Sequence, residues 1–159
     1  MRNTFAKQLY ELMAVRNSIY LLLADLGYGV FNQIRLDYPD RVIDVGASEQ
    51  LLMGAAIGLA HEGKIPIVYS ITPFLLCRPF EMIRNYINEE KTKVILIGGG
   101  RDEDYGHLGF SHWAKDDKQI MNIFSNILSY WPEDKEDVKA SLLRAFFLND
   151  GPSYINLRK

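Results

Sequence analysis

The 159-residue sequence lacks several features that mark whole classes of protein. Cys77 is its one cysteine, which excludes an internal disulfide and a cysteine-rich zinc site. An apolar run such as residues 19–24 is far too short to cross a bilayer, and the first residues are polar rather than signal-like. The net charge is only −2 with both signs interspersed, so neither nucleic-acid nor membrane binding is indicated. We therefore expect a soluble, cytoplasmic protein.

Apolar segments of strand length alternate with segments of helix length along the chain. Strands are predicted at residues 18–24, 41–45, 65–69, 94–97, 127–130 and 153–157, and helices at about 4–15, 50–62, 75–90, 115–122 and 135–148. Most of the strand segments are continuously apolar, which is typical of strands buried on both faces. The pattern predicts one α/β domain over residues 1–159, a three-layer sandwich whose mostly parallel sheet of about six strands carries helices on both faces.

Glu49 lies between the predicted strand at 41–45 and a Gly/Ala-rich apolar helix. A carboxylate at that junction lies at the rim of the sheet, beside the positive end of a helix dipole, where open α/β sheets usually bind ligands. The same position also suits an acid that only stabilises the helix dipole. The local features leave both interpretations open.

The run Arg41-Val-Ile-Asp-Val-Gly-Ala-Ser-Glu-Gln50, followed by Gly54, Ala56 and residues 58–60 and 63–68, resembles the pyrimidine-binding domain of transketolases and deoxyxylulose-phosphate synthases. In that family the strand ends in Asp/Asn-x-Gly-Ile-x-Glu-Gln/His, and the glutamate binds the aminopyrimidine ring of thiamine diphosphate. The resemblance covers nearly the whole chain. It implies that the glutamate of this run hydrogen-bonds the ring nitrogen N1′ from a semi-apolar pocket and so activates the cofactor.

Residues 70–80 resemble the family's aromatic segment, whose rings pack on the aminopyrimidine. Phe74, Cys77 and Phe80 are three apart, which predicts one helical face that could line a flat ring. Cys77 stands where transketolases often carry an aromatic residue, and a one-residue shift would align Arg78 with an arginine of the synthases. The alternative for the two phenylalanines is an ordinary place in the core. No acid-base partner for Cys77 is identifiable, so a nucleophilic or redox role is not expected.

The segment Gly106-His-Leu-Gly-Phe-Ser-His112 closes the one long irregular stretch of the chain, a kind of loop that is usually functional or disordered. It resembles the family's Gly-x-Asp-Gly-Pro-Thr-His loop, which implies that His112 faces the substrate and donates to a carbonyl or a developing alkoxide. A structural loop histidine is the alternative. Leu108 replaces the aspartate that binds a sugar hydroxyl, and Phe110 replaces proline. The first replacement favours a shorter or less hydroxylated donor.

The strand end Leu23-Ala-Asp-Leu-Gly27 is similar to the family's Ala-Asp-Leu strand end. By that resemblance Asp25 lies near the thiazolium ring of the cofactor and Leu26 packs on the cofactor. Two glycines, Gly27 and Gly29, follow closely, so Asp25 equally suits a polar turn that ends the strand. The sequence leaves both interpretations open.

No Gly-Asp-Gly motif occurs in the sequence. In the family, a separate domain with that motif holds the diphosphate through a divalent metal, and transketolases continue into a third domain. Gly98-Gly-Gly100 is not a substitute, because it lacks the acid and the asparagine that ligate Mg²⁺. The resemblance therefore implies a subunit without a pyrophosphate-binding or C-terminal domain. It would bind thiamine diphosphate, with Mg²⁺ held mainly by a pyrophosphate-binding partner subunit in an α₂β₂ tetramer, and no metal ligand is predicted in this chain.

The activity that the resemblance implies is the transfer of a two-carbon unit from a ketose or 2-oxo acid donor to an aldehyde acceptor, only in complex with the partner. Two alternatives stay open. The chain could be a subunit of a pyruvate-using acyl-transfer or decarboxylating enzyme, or a scaffold subunit that kept the fold without the chemistry. The presence of Glu49 argues against the scaffold.

Overall fold

A six-stranded sheet lies at the centre of the computed structural model, which describes residues 1–159. All neighbouring strands are parallel, and their order across the sheet is β2-β1-β3-β4-β6-β5. The strands are β1 (Ile19–Leu23), β2 (Val42–Asp44), β3 (Ile65–Ile71), β4 (Ile95–Gly99), β5 (Leu128–Tyr130) and β6 (Ser153–Leu157). The predicted α/β fold and its strand number are confirmed.

Helices cover both faces of this sheet. They are α1 (Arg2–Val15), α2 (Asn32–Asp37), α3 (Glu49–His61), α4 (Thr72–Cys77), α5 (Phe80–Met82), α6 (Asp117–Met121) and α7 (Lys135–Leu143). Wider π-helical turns continue α5 through Ile83–Glu89 and α7 through Arg144–Leu148, and short 3-10 turns lie at Pro39–Arg41, Gly106–Leu108 and Phe110–His112. None of the helices combines the length and the apolar composition needed to cross a membrane.

Two apolar cores lie on opposite faces of the sheet, because successive side chains of a strand point to opposite faces. Leu21 and Ile67 belong to the core that α1 and α7 cover. Leu22 and Val68, their neighbours in sequence, belong to the core that α3 and α6 cover. All four side chains are fully buried. Both faces therefore exclude water, which explains the continuously apolar strand segments.

The segment after β3 differs from the single helix predicted over residues 75–90. α4 begins earlier, at Thr72, with a proline in its first turn, where the missing N–H has no intrahelical partner to lose. α4 ends at Cys77, and Pro79, with φ −95° and ψ 26°, interrupts the helical backbone because it cannot donate a backbone hydrogen bond. α5 then starts at Phe80. The interruption places Phe74 and Phe80 on separate helices.

The strand order reverses at β1, which lies between β2 and β3. Parallel strands end at the same edge of the sheet, so the segments that follow β1, β2 and β3 lie side by side there. Open α/β sheets bind ligands in the crevice at such a reversal. The predicted site residues after these three strands are therefore neighbours in space.

Candidate active site at the carboxyl edge of the sheet

Glu49 is a buried carboxylate on the first residue of α3, with 3% of its surface exposed. Ser70 Oγ, near the end of β3, donates to Glu49 Oε1 at 3.0 Å. Arg78 Nη1 donates to Glu49 Oε2 at 2.6 Å. Burying an unpaired carboxylate is costly, so these two partners account for the burial of the acid. The acid that the sequence singled out is thus held rigidly at the carboxyl edge of the sheet.

Glu49 lines a pocket of about 160 Å³ formed by segments that follow β1, β2 and β3. The lining residues are Ala24, Asp25, Leu26, Ala47, Glu49, Ser70, Ile71, Phe74 and Arg78. A cavity of about 150 Å³ holds a benzene ring, so this pocket has the size of one six-membered ring. A wider, open groove of about 450 Å³ shares Ala47, Glu49 and Arg78 with the pocket. A mostly apolar wall with a few polar groups is typical of sites for small organic ligands.

Phe74 connects this pocket with His112. The two ring centroids are 4.8 Å apart and the ring planes are inclined at 68°. The hydroxyl of Ser111 lies 3.0 Å from Nδ1 of the imidazole. Two residues that lie far apart in the sequence are therefore in contact, and Phe74 also lines the Glu49 pocket.

The loop that carries His112 is held at both ends by polar contacts. The Arg101 side chain, at the start of the loop, donates to Asn156 Oδ1, to the Asn156 carbonyl and to the Pro132 carbonyl, each at 2.9 Å. An antiparallel bridge joins Asp102 to Ala114, whose N–H donates to the Asp102 carbonyl at 2.8 Å. His112 is thereby carried by a clamped loop whose two ends are fixed relative to the sheet.

Asp117 is the central acceptor of a second group of buried hydrogen bonds behind this loop. Only 4% of the residue is exposed, and its Oδ2 accepts from Trp131 Nε1 at 2.7 Å, Asn156 Nδ2 at 2.9 Å and the Tyr154 hydroxyl at 3.0 Å. Burial, followed by the charge of Asp117, raises the pKa of Tyr154 well above its ordinary value. Tyr154 therefore stays a neutral donor at physiological pH.

Sequence reasoning missed these contacts of Arg101 and Asp117. A signal was present, because Asn156 is a polar residue in the middle of an apolar strand. Buried polar groups in proteins are nearly always hydrogen-bonded, so a strand asparagine indicates partners on neighbouring elements. The identity of those partners depends on the three-dimensional fold.

Comparison with known proteins identifies the family. The family model described as the transketolase pyrimidine binding domain matches residues 1–159. The chain belongs to this family. It is 34% identical over 121 residues to one of the subunits of an apulose-4-phosphate transketolase from Actinobacillus succinogenes, a match that covers 76% of this chain and 39% of that protein.

Solved structures show the same fold. A structure described as a split gene transketolase, inactive beta4 tetramer, matches with a TM-score of 0.85 and 31% identity, covering 99% of this chain and 50% of that one. The transketolase of Campylobacter jejuni matches with a TM-score of 0.87, 22% identity, and coverage of 99% and 25%, and shows the fold alone. This pyrimidine-binding domain spans about half or less of the length of the curated relatives that it matches.

Asp25 and Leu26 line the Glu49 pocket of this pyrimidine-binding domain. Asp25 has a φ of 50°, which is uncommon for a residue other than glycine. Its N–H donates to Asp44 Oδ1 at 2.9 Å, and its Oδ1 accepts from the Tyr28 hydroxyl at 3.0 Å. Strained backbone of this kind often lies at ligand sites. Asp25 therefore has the turn geometry expected from the sequence and also lines the pocket, while its position near the thiazolium ring stays a prediction.

Asp44 links the turns on either side of the pocket. Its Oδ2 accepts from Arg35 Nη2 at 2.7 Å, and its Oδ1 accepts from the N–H groups of Asp25 and Gly46 at 2.9 and 3.2 Å. Burial alone would raise the pKa of Asp44, but the hydrogen bonds from Arg35 and the two backbone donors outweigh burial and lower it. The ionised form of Asp44 therefore stabilises the turn that leads to Glu49.

Cys77 and Phe80 do not line the Glu49 pocket, and the single helical face predicted for Phe74, Cys77 and Phe80 is wrong. Phe80 packs against Phe124, with ring centroids 5.3 Å apart, at the edge of the core below α3. Cys77 is largely exposed, yet partial desolvation of its thiol, followed by the charge of Asp116, raises its pKa. The helix interruption at Pro79 is the physical reason that Phe80 leaves the face of Phe74, whereas Cys77 shares the short helix α4 with Phe74 and has its thiol towards solvent.

Proposed function

We propose that this chain is the pyrimidine-binding subunit of a split, thiamine diphosphate-dependent transketolase-like enzyme. The observation that carries the proposal is the buried carboxylate of Glu49, which faces a ring-sized pocket next to Phe74 and close to His112. The relative described as a transketolase subunit and the solved split-gene transketolase support a subunit rather than a whole enzyme. We expect activity only in an α₂β₂ assembly with a pyrophosphate-binding subunit.

Glu49 and Phe74 would hold the pyrimidine half of the cofactor. When bound, thiamine diphosphate supplies a carbon nucleophile for the donor carbonyl and accepts electron density when the carbon–carbon bond breaks. Glu49 would hydrogen-bond the ring nitrogen and share a proton with it, and Ser70 orients the carboxylate before the ring arrives. Phe74 offers a flat apolar surface for stacking. Asp25 and Leu26, which line the same pocket, would also contact the cofactor.

His112 would act on the substrate. Its clamped loop holds the imidazole beside Phe74, where it would donate to the donor carbonyl oxygen or to the alkoxide that develops there. The nearby hydroxyl of Ser111 limits the orientations of the ring. Leu108 and Phe110, which are 48% and 84% exposed, give the loop an apolar rim that a partner subunit would cover.

The diphosphate and Mg²⁺ would be held by the partner subunit, as the family resemblance implies. The structure contains no group of three or more His, Cys, Asp or Glu side chains that could hold a metal ion. We accordingly assign the pyrimidine ring to this chain and the metal to the partner subunit. None of the roles given above to Glu49, Phe74 and His112 depends on a metal ligand from this chain.

Transfer of a two-carbon unit from a ketose or 2-oxo acid to an aldehyde is the proposed reaction, and a pyruvate-using acyl transfer or decarboxylation is the second candidate. Leu108 favours the second candidate, because it cannot accept a hydrogen bond where the family has an aspartate for a sugar hydroxyl. A donor without hydroxyl groups needs no acceptor at that position. Parallel assays with a ketose phosphate and with pyruvate separate the two reactions.

The test is a transfer assay with the chain, a pyrophosphate-binding subunit, thiamine diphosphate and Mg²⁺. We expect turnover only when both subunits are present, and a loss of about 100-fold or more in Glu49→Ala, which is the usual scale of acid-base catalysis. Glu62→Ala removes an exposed acid beyond the other end of α3 and is the matched control. Full turnover by the Glu49→Ala complex would contradict the role of the acid, and a complex that never turns over would favour the scaffold.

A further inference from the structure

Arg78 engages both groups that would recognise the pyrimidine ring. Its guanidinium carbon lies 3.8 Å from the centroid of the Phe74 ring. One nitrogen of the same guanidinium donates to Glu49 Oε2 at 2.6 Å. The stacking surface and the acid of the proposed cofactor site are therefore both occupied by a side chain of this chain.

We propose that Arg78 is a placeholder whose guanidinium takes the position of the cofactor's aminopyrimidine in the chain alone and must swing out before the cofactor binds. This inference rests on the proposed function. A guanidinium and a protonated aminopyrimidine share the properties that Glu49 and Phe74 would recognise. Both are flat, both carry N–H donors in their plane, and both stack on an aromatic ring.

Arg78 is able to move, whereas Glu49 is held in place. The Arg78 side chain is 45% exposed and the Glu49 side chain only 2%. Arg78 lines both the ring-sized pocket and the wider groove, so its side chain has an open volume to turn into. It also follows the last residue of α4, and Pro79 comes next, so no long helix fixes its backbone. Rotation of an exposed side chain takes picoseconds to nanoseconds, so breaking the contacts with Glu49 and Phe74 is the slower part of the exchange.

The placeholder also has a clear role in the chain alone. Without a cationic side chain beside it, the buried Glu49 carboxylate would be an uncompensated charge, which is strongly destabilising. Arg78 supplies the counter-charge until a ligand with equivalent donors replaces it. Because the exchange substitutes one stacked, hydrogen-bonded group for another, the net gain must come from the rest of the cofactor, including the diphosphate held by the partner. Cofactor binding would therefore be weak until the two subunits assemble.

The test measures the affinity of thiamine diphosphate with Mg²⁺ for the two-subunit complex by calorimetric titration. Removing a competing internal group raises the fraction of binding-competent sites, so Arg78→Ala should bind about 3- to 10-fold more tightly than the wild type. Arg84→Ala removes an exposed arginine from the following π-helical turn and should bind like the wild type. Unchanged or weaker binding by Arg78→Ala would overturn the placeholder.

A second measurement follows the side chain itself. In ¹⁵N NMR spectra of the complex, the Arg78 side-chain signal should shift towards that of a solvent-exposed arginine when the cofactor is added. A signal that does not move would overturn the displacement. Failure of the proposed function is a different outcome, because neither the wild type nor Arg78→Ala would then bind the cofactor. Thermal unfolding of the Arg78→Ala chain checks that the variant is folded, and a cooperative transition is expected.

Discussion

Replacement of Asp117 by alanine tests the buried polar contacts behind the loop that carries His112. Its Oδ2 accepts from Trp131, Tyr154 and Asn156, and 4% of the residue is exposed. Alanine removes this acceptor from all three donors. The loss of stability should therefore be far above that of an ordinary surface substitution.

The magnitude follows from the number and type of these hydrogen bonds. A hydrogen bond to a charged group contributes about 1.5–3 kcal/mol, and a buried donor left without a partner costs about 1–3 kcal/mol. The three donors share one oxygen, and Asn156 also donates to the Thr72 hydroxyl and the Gly100 carbonyl, so the losses are not additive. We expect a total loss of about 3–5 kcal/mol. In a domain of this size that lowers the Tm by about 6–20 °C.

The assay is urea unfolding followed by tryptophan fluorescence and circular dichroism. Asp117→Asn keeps one carbonyl acceptor and should lose roughly half as much as Asp117→Ala. Asp116→Ala, an exposed acid one residue earlier, should change stability by less than about 0.5 kcal/mol. A loss below about 1 kcal/mol for Asp117→Ala, or equal losses for the two alanine variants, would refute the reasoning.

Three further outcomes are expected. In the same urea assay, Tyr69→Phe should leave the free energy of unfolding unchanged or raise it by up to about 1 kcal/mol, because the buried Tyr69 hydroxyl has no hydrogen-bond partner. A clear loss of stability would contradict this. Asp44→Asn should cost about 1–2 kcal/mol at neutral pH. The stability difference between the wild type and Asp44→Asn should disappear as the pH falls from 3.8 through the lowered folded-state pKa of Asp44, because only the ionised carboxylate contributes. A stability difference that is constant with pH would contradict this. Cys77 should react with iodoacetamide more slowly at pH 8 than a free thiol, because desolvation and then Asp116 raise its pKa, and Asp116→Asn should speed the reaction.

The strands were predictable because a strand that is buried on both faces has no polar side to place in water. The predicted segment 153–157 coincides with β6, and the segment 65–69 lies within β3. α2 was not predicted, because only one of its six residues, Ile34, is buried, and a single buried residue leaves no helical spacing of apolar residues in the sequence. The helix predicted over 75–90 failed at Pro79, where the loss of a backbone donor outweighed the apolar spacing.

The position of Glu49 at the site was also predictable, because a strand-to-helix junction at the edge of a parallel sheet fixes where its first helical residue lies. The partners of the acid were not predictable. The pair of Arg78 with Glu49 joins residues 29 positions apart, and that of Arg101 with Asn156 joins residues 55 positions apart. Such contacts depend on rotamers and on the packing of separate elements, which leave no periodic signal in the sequence.

The most direct test of the central claim is a calorimetric titration of thiamine diphosphate with Mg²⁺ into the chain alone, into its complex with a pyrophosphate-binding subunit, and into the same complex with Glu49→Ala. We predict binding only in the complex, weakened about tenfold or more by Glu49→Ala, which corresponds to a loss of about 1.4 kcal/mol or more. Equal affinities of the wild-type and Glu49→Ala complexes, or the absence of binding in both, would contradict the assignment of this pocket to the pyrimidine ring.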